Sequence, residues 1–387
     1  MKILHLFDFF SPAGGGGTVS LLYKVTQALA QRGHEVSIYT SDFELDRNYI
    51  DSLPGVRIKL FHCISGAGQF YLTPSLNREI KNHLKEFDVV HSHCFRSYQN
   101  IIIHRYARKY HIPYVLDTHG SLPRAAAGKK NIKWLMRGAF DIAFGYRILK
   151  DASKVIAETQ LGIHEYKAFN VPDNKIVMIT PPFAIEEFAQ LPPAGFFRQK
   201  YHLNGKRIVM FLGRIHQIKG LDFLVQSFQE LTRVRDDVVL VIVGNDDGYK
   251  ATLDNLIAQL KLSDKVIFTG FLGGRDKLSA LVDADVVVQT SIYEQGAWAP
   301  YEAVLCNTPI IVSNNSGAGE DVKKIDAGYL VEYGNKIDFK DTMQYVLNNM
   351  PEAKAKTRKA KAYIETNLSI ARCIERYEQL YKEVAGR

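Results

Sequence analysis

Two carboxylates, Glu294 and Glu302, are separated by seven residues in Ser291-Ile-Tyr-Glu-Gln-Gly-Ala-Trp-Ala-Pro-Tyr-Glu-Ala303. Pro300 suits the first turn of a helix, which puts Glu294 in the preceding loop and Glu302 just inside the helix. Carboxylates so placed can accept hydrogen bonds from sugar and ribose hydroxyls, while free amides near Gly296 and at the helix start favour phosphate. The plainer alternative is that Glu302 is only a favourable first-turn acid. Upstream, Phe211-Leu-Gly-Arg-Ile-His-Gln-Ile-Lys-Gly220 links a β-branched run to a helix with Leu221, Leu224, Val225, Phe228 and Leu231 on its core face. An arginine fork at Arg214 and a point charge at Lys219 would suit a diphosphate, since both oppose the charge that grows on a leaving group. Two surface cations on a solvated loop are the alternative.

Near the N-terminus, Ser11-Pro-Ala-Gly-Gly-Gly-Gly-Thr18 leads from a first strand into a helix whose apolar face is Val19, Leu22, Val25 and Leu29. Bare amides at such a helix start suit an anion, and a tight strand-to-helix turn is the competing explanation. The loop is not GxGxxG, and Asp42 or Glu44 is a poor placement for a ribose-binding acid, which argues against a nicotinamide-dependent dehydrogenase. His91 and His93 lie two apart at a strand end and share a face, but no third metal ligand at suitable spacing is evident, so they are expected to line a cleft without metal. Between residues 124 and 150, Arg124, Lys129, Lys130, Lys133, Arg137, Arg147 and Lys150 interleave with Trp134, Leu135, Met136, Phe140, Ile142 and Phe144. Such a stretch could lie on anionic lipid; a core-facing helix with a solvated basic side is the commoner case.

These loops need strands and helices to hold them. Short β-branched runs alternate with helical patterns from Lys2 to Ile179 and again from Arg207 to Val331, which predicts two parallel, doubly wound α/β domains of Rossmann-like construction. The length of 387 residues also favours two cores over one. Paired prolines in Thr180-Pro-Pro-Phe and Leu191-Pro-Pro-Ala-Gly place the boundary near 181–195. The expected domains are 1–182 and 195–350, with helices over 351–387 that complete the second domain or return to the first. Two such domains facing each other put strand C-termini on both sides of one cleft.

Composition limits the partners. Apolar residues at 46% and charged residues at 23% exclude a disordered, collagen-like or coiled-coil chain. Lysine plus arginine number 49 against 41 acids, a net charge of +8 that would attract phosphates, anionic lipid or nucleic acid. No zinc-finger spacing or RNP-like aromatic motif supports nucleic acid, which is not expected as a partner. Four cysteines without a CxxC pair suggest neither a disulfide framework nor a zinc site. With no apolar run near 18 residues and no small-residue cleavage site, a cytoplasmic location is expected, with peripheral contact on the inner face of the membrane through 124–150.

Taken in order, these features resemble the retaining family 4 glycosyltransferases of GT-B architecture. The matching pieces are the glycine loop closing in Arg32-Gly-His-Glu-Val36, Asp88-Val-Val-His-Ser-His93, Thr118-His-Gly120, Gly213-Arg214 to Lys219-Gly220, and the paired glutamates. The resemblance implies that Arg214 and Lys219 grip the donor diphosphate, Glu294 the sugar hydroxyls and Glu302 the ribose. It also implies that Gly16 and Gly17 approach donor phosphate and that His119 contacts the sugar near the reacting carbon. His119, Glu294, Arg214 and Lys219 are thus the expected catalytic residues. Gly296 and Ala297 join the donor-binding set, where the family's Glu-x-Phe-Gly is replaced by Glu294-Gln-Gly-Ala297. The implied reaction moves a hexose from a nucleotide-diphosphate sugar, the co-substrate, to a hydroxyl of a glycan or lipid-linked acceptor in cell-surface polysaccharide or glycolipid synthesis. It needs no metal or resident cofactor. A sugar-nucleotide epimerase of similar shape and a basic, non-catalytic membrane-binding module are the rival expectations.

Overall fold

The computed structural model describes residues 1–66, 70–124, 132–296 and 298–387. The chain forms two compact units, Met1–Phe183 with Leu368–Arg387, and Ala184–Asn367.

In the first unit, β1 (Lys2–Phe9), β2 (Glu35–Ser41), β3 (Val56–Phe61), β4 (Val89–His93), β5 (Tyr114–Asp117), β6 (Lys154–Ala157) and β7 (Ile176–Met178) form one parallel sheet. The strand order is β3-β2-β1-β4-β5-β6-β7. In the second unit, β8 (Arg207–Leu212), β9 (Val238–Val243), β10 (Val266–Gly270), β11 (Val286–Gln289), β12 (Ile310–Ser313) and β13 (Tyr329–Val331) form another, in the order β10-β9-β8-β11-β12-β13. Strands covered on both faces read as unbroken apolar runs, and β9, Val-Val-Leu-Val-Ile-Val, is buried at every residue. Each sheet reverses its winding between two neighbours, β1 and β4 or β8 and β11. Loops leaving such strands diverge and leave a crevice at the C-terminal edge.

The first helix differs from the open loop expected over Ser11–Thr18. It begins at Pro12, runs to Gln31, and is broken at Gly16, whose φ of 52° and ψ of −131° no side chain adopts readily. Proline fits a helix's first turn, so the chain makes one turn, breaks, and restarts at Gly17.

The segment 351–387 divides. The helix Met350–Asn367 stays with the second unit, while the helix Ile370–Val384 lies in the first. The return is stitched by Phe183, whose N–H donates to Leu368 O (2.7 Å) and whose carbonyl accepts from Ile370 N (3.1 Å). Arg32 Nε and His34 Nε2 both lie 2.9 Å from Glu378 Oε1, and the Arg387 guanidinium pairs with Asp88 at 2.6 Å. The Arg32-Gly-His motif thus anchors the C-terminal helix.

Candidate active site

In the second unit the loop after β8 is shaped by its neighbours on both sides. Ile215 N donates to Asn245 O (2.8 Å) and Asp247 N to Ile215 O (3.0 Å), binding it to the loop after β9. On the other side, Ile292 N donates to Ile218 O (2.8 Å) and the Thr290 hydroxyl to Lys219 O (3.0 Å), binding it to the loop after β11. Two glycines permit these approaches. A Cβ on Gly244 would come within 1.9 Å of Gly213 O, and one on Gly220 within 2.1 Å of Thr290 O.

This stitching brings the Lys219 ammonium onto the Glu294 carboxylate, with side chains only 14% and 17% exposed. Ser291 Oγ (3.1 Å) and Gln289 Nε2 (3.3 Å) also donate to Glu294 Oε2. The Glu294 main chain is fixed as well, since its carbonyl accepts from Gly317 N (2.9 Å). Arg214 pairs instead with Asp247, and both remain substantially exposed. Glu302, in the helix Trp298–Leu305, receives Lys277 Nζ at 2.7 Å. The structure therefore joins Lys219 directly to Glu294, and gives Arg214 and Glu302 the partners Asp247 and Lys277, which sequence reasoning missed. Surface acids and lysines are too common for spacing to single these out. Gly296 is half-buried beside Gln295, and Ala297 lies outside the described residues.

In the first unit, the parallel register sets His5 of β1 opposite His91 of β4, and His93 opposite Asp117 of β5. His119 and Gly120 follow β5 with left-handed φ of 46° and 73°, a sharp turn that sends the His119 ring back over the sheet. Its Nδ1 lies 2.8 Å from Glu158 Oε1 and its Nε2 lies 2.9 Å from His93 Nδ1. His93 Nε2 is in turn 3.0 Å from His5 Nδ1, and His91 Nδ1 is 2.7 Å from the Tyr381 hydroxyl of the C-terminal helix. Burial drives His5 down to about 3 and holds His91 and His93 well below the usual histidine range, so all three are neutral at pH 7. Burial also disfavours the His119 cation, but the charge of Asp117 and the hydrogen bond and charge of Glu158 outweigh it and raise its pKa. Desolvation pushes Asp117 up to about 7 against the pull of His119.

His5 is a third imidazole that the His-x-His spacing could not reveal, so the expectation that no third ligand stands near His91 and His93 is corrected. The three histidines, and separately Asp117, His119 and Glu158, are close enough to hold a metal ion. Most of their nitrogens are already engaged with one another or with Tyr381, and only His5 Nε2 and His91 Nε2 lack a partner among the described residues. The cluster reads first as a hydrogen-bonded chain. Asp42, weighed above as a ribose acid, is taken up by Cys63 N (2.8 Å) and His62 (2.9 Å).

The basic stretch differs from a core-facing helix. Arg124 turns inward to the buried Asp141 (2.7 Å), which Arg96 also grips (2.9 Å), and Arg137 donates to Arg124 O (3.0 Å). Outside, Ile132 (69%), Leu135 (59%), Met136 (66%) and Ile142 (75%) stand in solvent beside exposed Lys133, Arg147 and Lys150. Lys129 and Lys130 lie outside the described residues. Among the described residues no helix is long and apolar enough to cross a membrane.

Two Rossmann-like sheets thus carry cations and carboxylates at one switch point and histidines at the other. Comparison with known proteins gives the family. Residues 195–363 match the glycosyl transferases group 1 and residues 15–187 match glycosyltransferase family 4, and the chain belongs to these glycosyltransferases. It is 30% identical over 201 residues to a putative glycosyltransferase, YtcC, of Bacillus subtilis, a match spanning 49% of this chain and 48% of that protein, about half its length. It is 25% identical to the D-inositol 3-phosphate glycosyltransferase of Actinosynnema mirum, covering 89% of this chain and 87% of that one. The crystal structure of Anabaena HepE in complex with UDP-glucose superposes with a TM-score of 0.80 at 18% identity, covering 99% of this chain and 100% of that chain. That likeness establishes the GT-B fold.

Proposed function

We propose that the protein transfers a hexose from a nucleoside-diphosphate sugar, with retention of configuration, to a hydroxyl of a glycan or lipid-linked acceptor. The observation that carries this reading is the Lys219–Glu294 pair at the β8–β11 switch point, with Arg214 on the same loop. Glu294, held by Ser291 and Gln289, would accept hydrogen bonds from the sugar hydroxyls. Lys219 and Arg214 would oppose the charge on the departing diphosphate, and Glu302 would bind the ribose. In the first unit, the amides after the Gly16 break and His119 are the groups that the family resemblance assigns to donor binding. No described carboxylate is placed as an obvious nucleophile, which favours same-face attack with the leaving diphosphate taking the acceptor proton. The complexes of HepE with UDP and with UDP-glucose support a uridine donor by analogy. No metal enters the scheme, because two cationic side chains can carry the charge role a metal would fill.

Thermal unfolding with UDP, GDP, their sugar conjugates or NADH tests the donor class. One nucleotide family, at about 100 times its dissociation constant, should add roughly 2.7 kcal/mol to the folded state. A shift with NADH alone would overturn the transferase.

The reading extends to an anionic membrane surface, where a lipid-linked acceptor would be met. Exposed Leu135, Met136 and Ile142, flanked by Lys133, Arg147 and Lys150, have the apolar-and-basic composition of an interfacial segment. Replacing both Leu135 and Ile142 by Glu should reduce co-sedimentation with phosphatidylglycerol vesicles at least about tenfold, since each apolar side chain contributes about 1.5 kcal/mol or more when buried. Unchanged co-sedimentation, or equal binding to phosphatidylcholine, would remove the membrane from the scheme.

A further inference from the structure

Four side chains from four segments of the first unit are joined end to end: Glu158 to His119 (2.8 Å), His119 to His93 (2.9 Å), and His93 to His5 (3.0 Å). His5, His93 and Glu158 are buried, and His5 Nε2, at the far end, has no partner among the described residues. Each ring nitrogen between the ends has one hydrogen-bond partner, with Asp117 Oδ1 a second, longer contact of His119 Nδ1, so the position of one proton dictates the positions of the others.

Glu158 can only accept as a carboxylate, so His119 donates through Nδ1. Two arrangements then keep every bond. With His119 neutral, its Nε2 accepts from His93 Nδ1–H, His93 Nε2 accepts from His5 Nδ1–H, and His5 Nε2 is bare. With one proton added at His5 Nε2, the His5 Nδ1 proton passes to His93 Nε2 and the His93 Nδ1 proton to His119 Nε2. His119 then carries both protons and the charge, and His93 and His5 are again neutral. One proton enters, one charge appears at the other end, and no hydrogen bond is lost.

We propose that this chain sets the protonation state of His119, with Glu158 and His93 as positioning residues that let His119 gain or lose a proton without rearranging its surroundings. The proposal deepens the transferase reading above and rests on it for the use of His119 near the donor. Charge would settle at His119 because carboxylates lie there and none touches His5. Glu158 is hydrogen-bonded to His119, and Asp117 Oδ1 lies 3.3 Å from His119 Nδ1.

Of the other ionisable groups around the chain, the tyrosines, Cys94 and His91 do not compete, whereas Asp8 and Asp117, each pushed by burial up to about 7, titrate in the same range as His119, and Asp117 touches it. Burial holds Tyr166, on the helix Gln160–Ala168, and Tyr377 and Tyr381, on the C-terminal helix, far above the usual tyrosine range, and does the same to the Cys94 thiol. His91, beside His93 on β4, is kept neutral by burial, and Asp8 at the end of β1 is pushed up to about 7 for the same reason.

The test uses the full-length protein with ¹⁵N-labelled histidine. In the wild type at neutral pH, ¹⁵N–¹⁵N couplings across both the His119–His93 and His93–His5 pairs are expected, with Nδ1 of His119 protonated. As pH falls, His119 should be the member that takes the charge, while His5 and His93 remain neutral. Glu158→Gln should move the His119 titration to lower pH, and Glu158→Asp should restore part of the shift. Absence of both couplings, or a His119 titration unmoved in a folded Glu158→Gln variant, overturns the chain. Activity separates the two readings. If the charged His119 serves the reaction, Glu158→Gln should lower kcat about tenfold near neutral pH with little change in KM, and move the alkaline limb of the pH profile to lower pH with the NMR titration. Intact couplings and the expected shift, with kcat and its pH profile unchanged, would uphold the chain and overturn the role of His119 in transfer.

Discussion

Lys219→Ala is expected to lower kcat/KM for sugar transfer by about two to three orders of magnitude, the usual cost of deleting one preorganised group aimed at developing negative charge. The loss should fall mainly on kcat, because the charge that Lys219 opposes appears as the diphosphate departs. Its position magnifies the effect. The ammonium sits on Glu294, so its removal also leaves the carboxylate held only by Ser291 and Gln289 and free to turn from the sugar hydroxyls. Glu294→Gln should therefore be nearly as damaging, and the double variant should lose much less than the sum of the two, as expected for groups acting as one unit. Folding should be largely kept, because neither residue belongs to a hydrophobic core. The measurement is steady-state transfer with the donor that the thermal screen selects, alongside circular dichroism. A folded Lys219→Ala protein turning over at the wild-type rate would remove the pair from catalysis.

Gly220→Ala should cost roughly 3 kcal/mol or more of stability, among the larger effects open to a single methyl group. Gly220 caps the helix Leu221–Thr232 with a φ of 64°, a conformation costly for alanine by itself. Crowding costs more than the backbone angle, since the new Cβ would meet Thr290 O at 2.1 Å and the Tyr333 ring at 2.8 Å. Relief requires the loop after β11 to retreat, which breaks the Thr290 bond to Lys219 O and carries Glu294 from Lys219. Activity should fall together with stability. Gly248→Ala is the control, with a φ of 81° but nothing within 4 Å of its Cβ, and should cost about 1 kcal/mol. Calorimetric unfolding of the two variants separates strain from crowding, and equal losses would show that the close approach at Gly220 does not matter.

Much of the fold was legible because parallel strands buried on both faces leave continuous apolar runs. Val238–Val243 and Val286–Gln289 could hardly be anything else, and the helices between them repeat their apolar residues at helical spacing. Of the site, the loop glutamates, Arg214 and Lys219 stood out because special residue types follow strands at winding loops. What stayed hidden depends on register between distant segments. His5 sits among Ile3, Leu4, Leu6 and Phe7 and looks like an ordinary core position; only pairing β1 with β4 sets it opposite His91. One local signal existed, an imidazole in the run Ile3 to Phe7 that is otherwise wholly apolar. The return of residues 370–384 was undecidable locally, because the helix is amphipathic whichever unit it covers. Its choice rests on Arg32 and His34 finding Glu378.

That return has a consequence for biosynthesis. Since the helix Ile370–Val384 is made after the whole of the second unit, the first sheet must wait for it while some 180 residues of the intervening chain are translated. During that interval His91 lacks the Tyr381 hydroxyl and His5 lacks the edge of the Tyr381 ring. The nascent first unit completes the surroundings of His5 and His91 only when the last helix arrives, since a chain stopped before residue 370 lacks both Tyr377 and Tyr381.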